Sequence, residues 1–386
     1  MNKKHIKEIV SSLPLWCSKI IIIVYFFVSN NGKIYGNWKE IGSYQKKGIC
    51  KEKAFWKSMY RVGFYLYQQL DISKYLSSYF DNNDFKCLIK NINISNNPKD
   101  VVLICCEKND LERIKSVYEW HRKIGIKNIV FVDNNSDDGT KDWLKDKDVV
   151  VYSTNEKYHA SRKAAWYKRI MDIYGYNRWY LIVDSDELFT YIGCENHSID
   201  ELIQYAENMG IKRIRSFLLD MYSEGKIFNN TKANVNIIED NKYFDYMGYY
   251  SERDFRSVMI KGGPRKRVFY KGQDDKTNPL TKYPLLYVKS DDIWTDHIPY
   301  PFKYNHKSDC LAVLRHYKFG SNDLNKYIQI AYDENYYNNS VNYKRYIEVY
   351  NDNNDISFVG IETEEYVNSK SLGRINFLKN IFKDEV

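Results

Sequence analysis

Between Val101 and Tyr222, short apolar runs alternate with amphipathic stretches of helical length, and this rhythm restricts the fold more than any other feature of the chain. "VVLICC", "NIVFVD", "DVVVYST", "WYLIVD" and "KRIRSFLLDMY" read as strands. "LERIKSVYEWHRKIG", "SRKAAWYKRIMDIYG" and "SIDELIQYAENMG" read as helices, the last opening on a capping box of Ser198 and Glu201. Strands with little polar interruption, separated by helices, predict an α/β fold with a mostly parallel sheet covered on both faces. Ligands of such sheets sit beyond the carboxyl ends of the strands.

Those ends are polar. Glu107-Lys108-Asn109-Asp110 follows the first strand, and Asp133-Asn134-Asn135-Ser136-Asp137-Asp138-Gly139-Thr140 follows the second. In "RWYLIVDSDELFTY" the strand runs straight into Asp184, Asp186 and Glu187. Asp184 and Asp186 can turn toward one space, where one would protonate unless a cation intervenes. A hard divalent ion, Mn²⁺ or Mg²⁺, completed by substrate phosphates would resolve the conflict. A solvated acidic turn is the plain alternative.

Other segments offer partners for such a ligand. "VDNNSDDGT" lets the backbone turn closely around a base or ribose, or is simply a capped strand-to-helix turn. "GGPRKRVF" presents Arg265, Lys266 and Arg267 after a Gly-Gly-Pro turn, either as phosphate-binding cations or as a solvated basic hairpin. In "LRHYKF", His316 and Lys318 are two apart and share a strand face. His316 could complete a metal site and Lys318 touch a phosphate; a satisfied core histidine is the alternative. His297 in "WTDHIPYP" is a weaker candidate of the same kind.

The 386 residues suffice for a full core and suggest two domains, or one α/β domain with additions. Residues 1–95 read as a helical and irregular extension, with helical pieces at Glu52–Gln69 and Ile72–Phe80; residues 96–225 are the α/β core. Residues 226–320 are strand-rich, and residues 321–386 are a C-terminal helical segment covering Asn322–Tyr350 and Ser369–Phe382. The 36 tyrosines read as compositional bias. The formal charge of +8 is dispersed among acidic residues, which suits anionic lipid or phosphate and argues against nucleic acid as a partner. Seven cysteines without a CxxC pair read as reduced thiols of a cytoplasmic protein. Leu13–Val28 is too short in its apolar part for a span and reads as a packed element, a membrane-surface contact, or a true span or signal.

"CCEKND", "VDNNSDDGT", "YHASRKAAWYKRIMDIYGYNRWYLIVDSDELF", "LLDMYSEGK", "GGPRKRVF", "LTKYPLL" and "LRHYKF" occur in this order over roughly Val101 to Tyr346. On these segments the chain resembles bacterial glycosyltransferases of the family-2-like type, with the GT-A (Rossmann-like) fold and an Asp-x-Asp-Glu signature. The resemblance implies that Asp184 and Asp186 are the metal- and ribose-facing pair and that His316 is a late metal ligand. It also implies that Asp133 contacts the nucleoside, with Asn109 and Asp110 in the loop beside it. Asp110 stands where the family commonly has Glu. Arg265, Arg267 and Lys318 are the expected diphosphate contacts. Glu187 has no role here beyond orienting the acidic pair.

The implied reaction moves a sugar from a nucleotide-sugar donor, UDP-linked by expectation, to a hydroxyl of a glycan or lipid-linked acceptor in surface polysaccharide or lipopolysaccharide synthesis. Mn²⁺ or Mg²⁺ is the expected cofactor. Asp220 and Glu224, then Asp245, are the candidate bases. The expected location is cytoplasmic, with peripheral contact at the anionic inner face of the cytoplasmic membrane. Two other readings stand beside this one: a non-catalytic carbohydrate- or lipid-binding protein on the same fold, and an Asp-x-Asp phosphatase. Leu188 and the mid-sheet position of the motif disfavour the phosphatase.

Overall fold

The computed structural model describes residues 84–228, 236–253, 256–273, 279–290, 292, 297–299, 302–320, 323–333 and 337–382. The expectations placed on Leu13–Val28, Glu52–Gln69 and Ile72–Phe80 lie outside these residues.

The strands are β1 (Lys86–Lys90), β2 (Val102–Glu107), β3 (Asn128–Asp133), β4 (Val150–Ser153), β5 (Arg178–Asp184), β6 (Glu187–Thr190) and β7 (Arg215–Asp220). They continue as β8 (Tyr243–Asp245), β9 (Tyr249–Arg253), β10 (Val258–Gly262), β11 (Thr281–Lys282), β12 (Leu285–Val288), β13 (Cys310–His316) and β14 (Thr363–Glu365). The helices are α1 (Leu111–Lys123), α2 (Thr140–Leu144), α3 (Ala160–Tyr174), α4 (Ile199–Asn208), α5 (Ile237–Asp240), α6 (Gly263–Phe269), α7 (Asp323–Asp333) and α8 (Tyr337–Asp352).

A six-stranded sheet has the order β1-β4-β3-β2-β5-β12. Its four inner strands are parallel, as the βα rhythm predicts, and both edges are antiparallel. The inner strands are buried almost throughout, with one core on each face. Helix α1 buries Arg113, Ile114, Val117, Trp120 and His121, the i, i+1, i+4, i+7, i+8 stripe of an amphipathic helix. The predicted capping box is present at α4, where the Glu201 carboxylate accepts the Ser198 backbone N–H at 2.7 Å.

The expectation of one mostly parallel sheet is corrected. After β5 the chain reverses through Asp184-Ser185-Asp186, and β6 enters a second, mixed sheet of order β11-β7-β13-β6. Strand β7, the apparent next strand of the rhythm, belongs to that sheet and runs parallel to β13. The fold is a mixed α/β arrangement of several sheets flanked by helices. Alternation of strand and helix specifies each element but not the sheet it joins, because β7 is as apolar as a strand of the first sheet.

Two local expectations also change. "GGPRKRVF" is helix α6, with Pro264 in its first turn. Gly262 has φ +115°, and a Cβ there would lie 2.2 Å from the Gly248 carbonyl oxygen, so only glycine fits where the chain leaves the β9–β10 hairpin. Ser369–Phe382 is helical only in its first part, as a 3₁₀ helix at Ser369–Arg374. Within the expected helical stretch Asn322–Tyr350, the described residues form α7 and α8.

Candidate functional site

The three strand-end loops are tied into one rim by their own side chains. Asn109, at φ +50°, exchanges side-chain hydrogen bonds with Asp137, donating to its carboxylate and accepting its backbone N–H, both at 2.8 Å. Asp138 accepts the Leu111 backbone N–H at 3.0 Å, joining the loop after β3 to the start of α1. On the other side Asp110 accepts from Ser185 at 2.6 Å and from Arg113 at 3.0 Å. Arg113 also pairs with Asp323 and donates to the Tyr317 carbonyl. Asp110 therefore positions the Asp184–Glu187 turn.

Register across the second sheet builds the centre of the site. His316 of β13 sits opposite Glu187 of β6 and Asp220 of β7, so three strand ends present one row of side chains. His316 Nδ1 lies 2.7 Å from Asp220 Oδ1, and Arg265 of α6 donates to Asp220 Oδ2 at 2.7 Å. His316 Nε2 faces Asp186 Oδ2 at 3.4 Å. Burial disfavours ionisation throughout this chain, but the charges outweigh it. Burial alone would raise Asp186, yet His316, Lys318 and Arg113 hold it well below the usual carboxylate range. Burial would lower His316, but Asp186 and Asp220 raise it.

Lysines supply the positive charge at the end of β5. Lys163 of α3 lies 2.9 Å from Asp184 Oδ1, and Lys282 of β11 lies 3.2 Å from Asp184 Oδ2. Lys282 also contacts both Glu187 oxygens at 2.8 Å, and Glu187 accepts the Asp184 backbone N–H at 3.0 Å. Burial pushes the Glu187 carboxyl up to about 7 against the pull of Lys282. Glu187 thus locks the turn through its own carboxylate. The signal for Lys282 was legible: a lone lysine in the apolar run "PLTKYPLL" needs a buried carboxylate.

Asp133, expected against a nucleoside, is fully buried. It accepts the Ser136 backbone N–H at 3.1 Å and stands opposite Glu107 across the β2–β3 pair. Ser136 donates to Glu107 Oε2 at 2.9 Å. Glu107 Oε1 and Asp133 Oδ2 are buried without a hydrogen-bond partner. Burial, then Asp133, push Glu107 up to about 9. Asp133 therefore braces the rim from beneath, leaving the exposed Asn135 and Asp137 on its surface.

Among the expected residues, Asp184, Asp186, Asp220, Arg265, His316 and Lys318 gather at one place. Lys318 donates to Tyr343 at 2.9 Å, and its charge helps depress Asp186. Arg267 and Asp245 pair with each other elsewhere, at 2.9 and 3.0 Å. Glu224 is exposed beyond β7. His297 is no part of the cluster in which ligand atoms converge among the described residues, namely Asp186, Glu187 and His316.

The donor set fits a divalent ion. The Asp220 contact at Nδ1 leaves His316 Nε2 as the ligand atom of the neutral ring, the arrangement in which a carboxylate orients a metal-binding histidine. Asp186 and His316 would hold the ion; Glu187 is saturated by Lys282, and Asp184 by the two lysines. The nitrogen ligand favours Mn²⁺ over Mg²⁺.

No protein-family model and no curated protein matches this chain. Among the described residues, no helix is long and apolar enough to cross a membrane, and the five described cysteines are free.

Proposed function

We propose that the chain is a metal-dependent glycosyltransferase of GT-A type, moving a sugar from a nucleotide-sugar donor to a hydroxyl of a glycan or lipid-linked acceptor. The observation that carries this reading is the Asp186–His316–Asp220–Arg265 chain, set beside three interlocked loops at the ends of parallel strands. Ligands of α/β sheets bind at such an edge. A bound divalent ion would act there as a Lewis acid, neutralising charge on the leaving diphosphate.

The protein groups have separable roles. Asp220 orients His316, and Arg265 holds Asp220. Lys318 adds positive charge toward the diphosphate, while Lys163 and Lys282 pair with the carboxylates of the acidic turn. Of the candidate bases, Asp220 and Asp245 spend both oxygens on internal partners. Glu224 is the exposed carboxylate of the three but stands outside the cluster, so no base is assigned among them. The donor is taken as UDP-linked and the acceptor as a surface polysaccharide or lipopolysaccharide precursor, met at the inner face of the cytoplasmic membrane. The basic balance of the chain supports that location.

A screen of nucleotide sugars with Mn²⁺, read as release of nucleoside diphosphate, tests the assignment. One donor should be turned over in a Mn²⁺-dependent way, and Asp186→Ala should abolish it. Turnover that Asp186→Ala leaves intact would refute the assignment.

A further inference from the structure

Helix α1 carries Arg113 on its buried stripe, where a guanidinium that never loses its charge is costly unless its N–H groups are matched. All of its donors are matched, and the acceptors come from three segments of the chain. Nε donates to the Tyr317 carbonyl at 3.0 Å. Nη1 donates to Asp110 Oδ1 at 3.0 Å and to Asp323 Oδ1 at 3.3 Å. Nη2 donates to the Lys318 carbonyl at 3.4 Å and to Asp323 Oδ2. Asp323 opens α7 and accepts the Gly320 backbone N–H at 2.7 Å. A Cβ on residue 320 would lie 2.9 Å from Asp323 Oδ2 and 3.2 Å from Arg113 Nη2, so glycine permits this close seating.

Two of these bonds belong to a ring that closes around Asp186. Arg113 holds Asp110 Oδ1, and Asp110 Oδ2 accepts the Ser185 hydroxyl at 2.6 Å. Ser185 is bonded covalently to Asp186, whose backbone carbonyl accepts the Tyr317 N–H at 2.8 Å. The Tyr317 carbonyl returns the path to Arg113 Nε. Asp186 is therefore held on both sides, by the residue before it and by its own carbonyl, while the strand end that carries His316 is held by the same guanidinium. The gap that results, 3.4 Å between Asp186 Oδ2 and His316 Nε2, has little slack. An ion with ligand bonds of about 2.1 Å needs adjacent ligand atoms about 3 Å apart. An ammonium, with its donors on one atom, could not span these acceptors.

We propose that Arg113 is the positioning residue of the ion site, setting the separation of Asp186 and His316 through this ring and anchored in turn by Asp323 of α7. The proposal rests on the reading of Asp186 and His316 as a divalent-ion site.

Calorimetric Mn²⁺ titration of the full chain, with the electron spin resonance spectrum of bound Mn²⁺, tests it in the wild type, Arg113→Lys and Ser185→Ala below their melting temperatures. Arg113→Lys keeps the charge and removes the fork. Its Mn²⁺ affinity should fall about tenfold, and the resonance lines should change with the distorted ligand set. Ser185→Ala opens the ring at a half-buried hydroxyl and leaves Arg113 seated on α7. It should weaken Mn²⁺ binding in the same direction, and it decides the matter if Arg113→Lys does not fold. Wild-type affinity and spectrum in Arg113→Lys, whatever its melting temperature, would overturn the proposal, and so would wild-type affinity in Ser185→Ala. A wild type that binds no Mn²⁺ would instead overturn the ion site itself, and the proposal with it.

Discussion

His316 and Asp220, 96 residues apart in sequence, meet at 2.7 Å because β13 and β7 run parallel with these residues in register. This contact decides which ring nitrogen of His316 is available to a ligand. Asp220→Asn keeps the size of the side chain but lets the amide donate to Nδ1 and free the wrong tautomer. Mn²⁺ affinity should fall about 10- to 100-fold, the usual cost of losing such a partner, and the melting temperature should fall too, because Arg265 loses its buried carboxylate. Calorimetric Mn²⁺ titration of both proteins checks this.

Lys282 is buried between Asp184 and Glu187. Lys282→Met would leave the Glu187 carboxylate in the interior without its cation, and breaking a buried pair in this way costs roughly 3–5 kcal/mol. Adding Glu187→Gln should restore most of the loss, because the orphaned charge is gone. Urea midpoints of the single and double variants measure it. Equal destabilisation in both would show that Lys282 acts through packing.

His121 has its Nδ1 2.7 Å from the Val117 carbonyl, and its Nε2 accepts the Phe189 N–H of edge strand β6 at 3.3 Å. Burial pushes its pKa down to about 4. The unfolded chain binds this proton near pH 6.5, so stability is complete above that pH and falls as pH drops toward 4. The loss amounts to roughly 3 kcal/mol. His121→Gln should flatten the acid limb of a stability–pH curve.

Glu107 gives the opposite slope. It keeps its proton in the folded protein up to about pH 9 but loses it near 4.5 when unfolded. Stability from this group is complete below 4.5 and declines as pH rises through 9. Glu107→Gln should be the more stable protein at pH 8 and lose the alkaline decline, as denaturant midpoints between pH 5 and pH 9 would reveal.

Much of this architecture was legible. The apolar runs marked the strands, and the polar ends at Asp110, Asp133 and Asp186 marked the rim, because buried strands must end where polarity begins. What escaped was non-local. Nothing near Asp184 announces Lys163, and the lone Lys282 of "PLTKYPLL" does not say which carboxylate it meets, since ion pairs form across sheet register and not along the chain. Asp133 was read as facing a ligand because a strand-end aspartate ordinarily meets solvent; only the pairing of β2 with β3 discloses that Glu107 covers it. The sheet switch after Asp186 hid for the same reason, as strand β7 carries no residue that tells one sheet from another.

The central claim is that Asp186 and His316 form a divalent-ion site for a nucleoside diphosphate. Calorimetric titration of uridine diphosphate, with and without Mn²⁺, into the wild type and Asp186→Ala tests it most directly. The account predicts Mn²⁺-dependent binding in the wild type that Asp186→Ala abolishes while the melting temperature holds. Binding that is independent of Mn²⁺, or unchanged in Asp186→Ala, would contradict it.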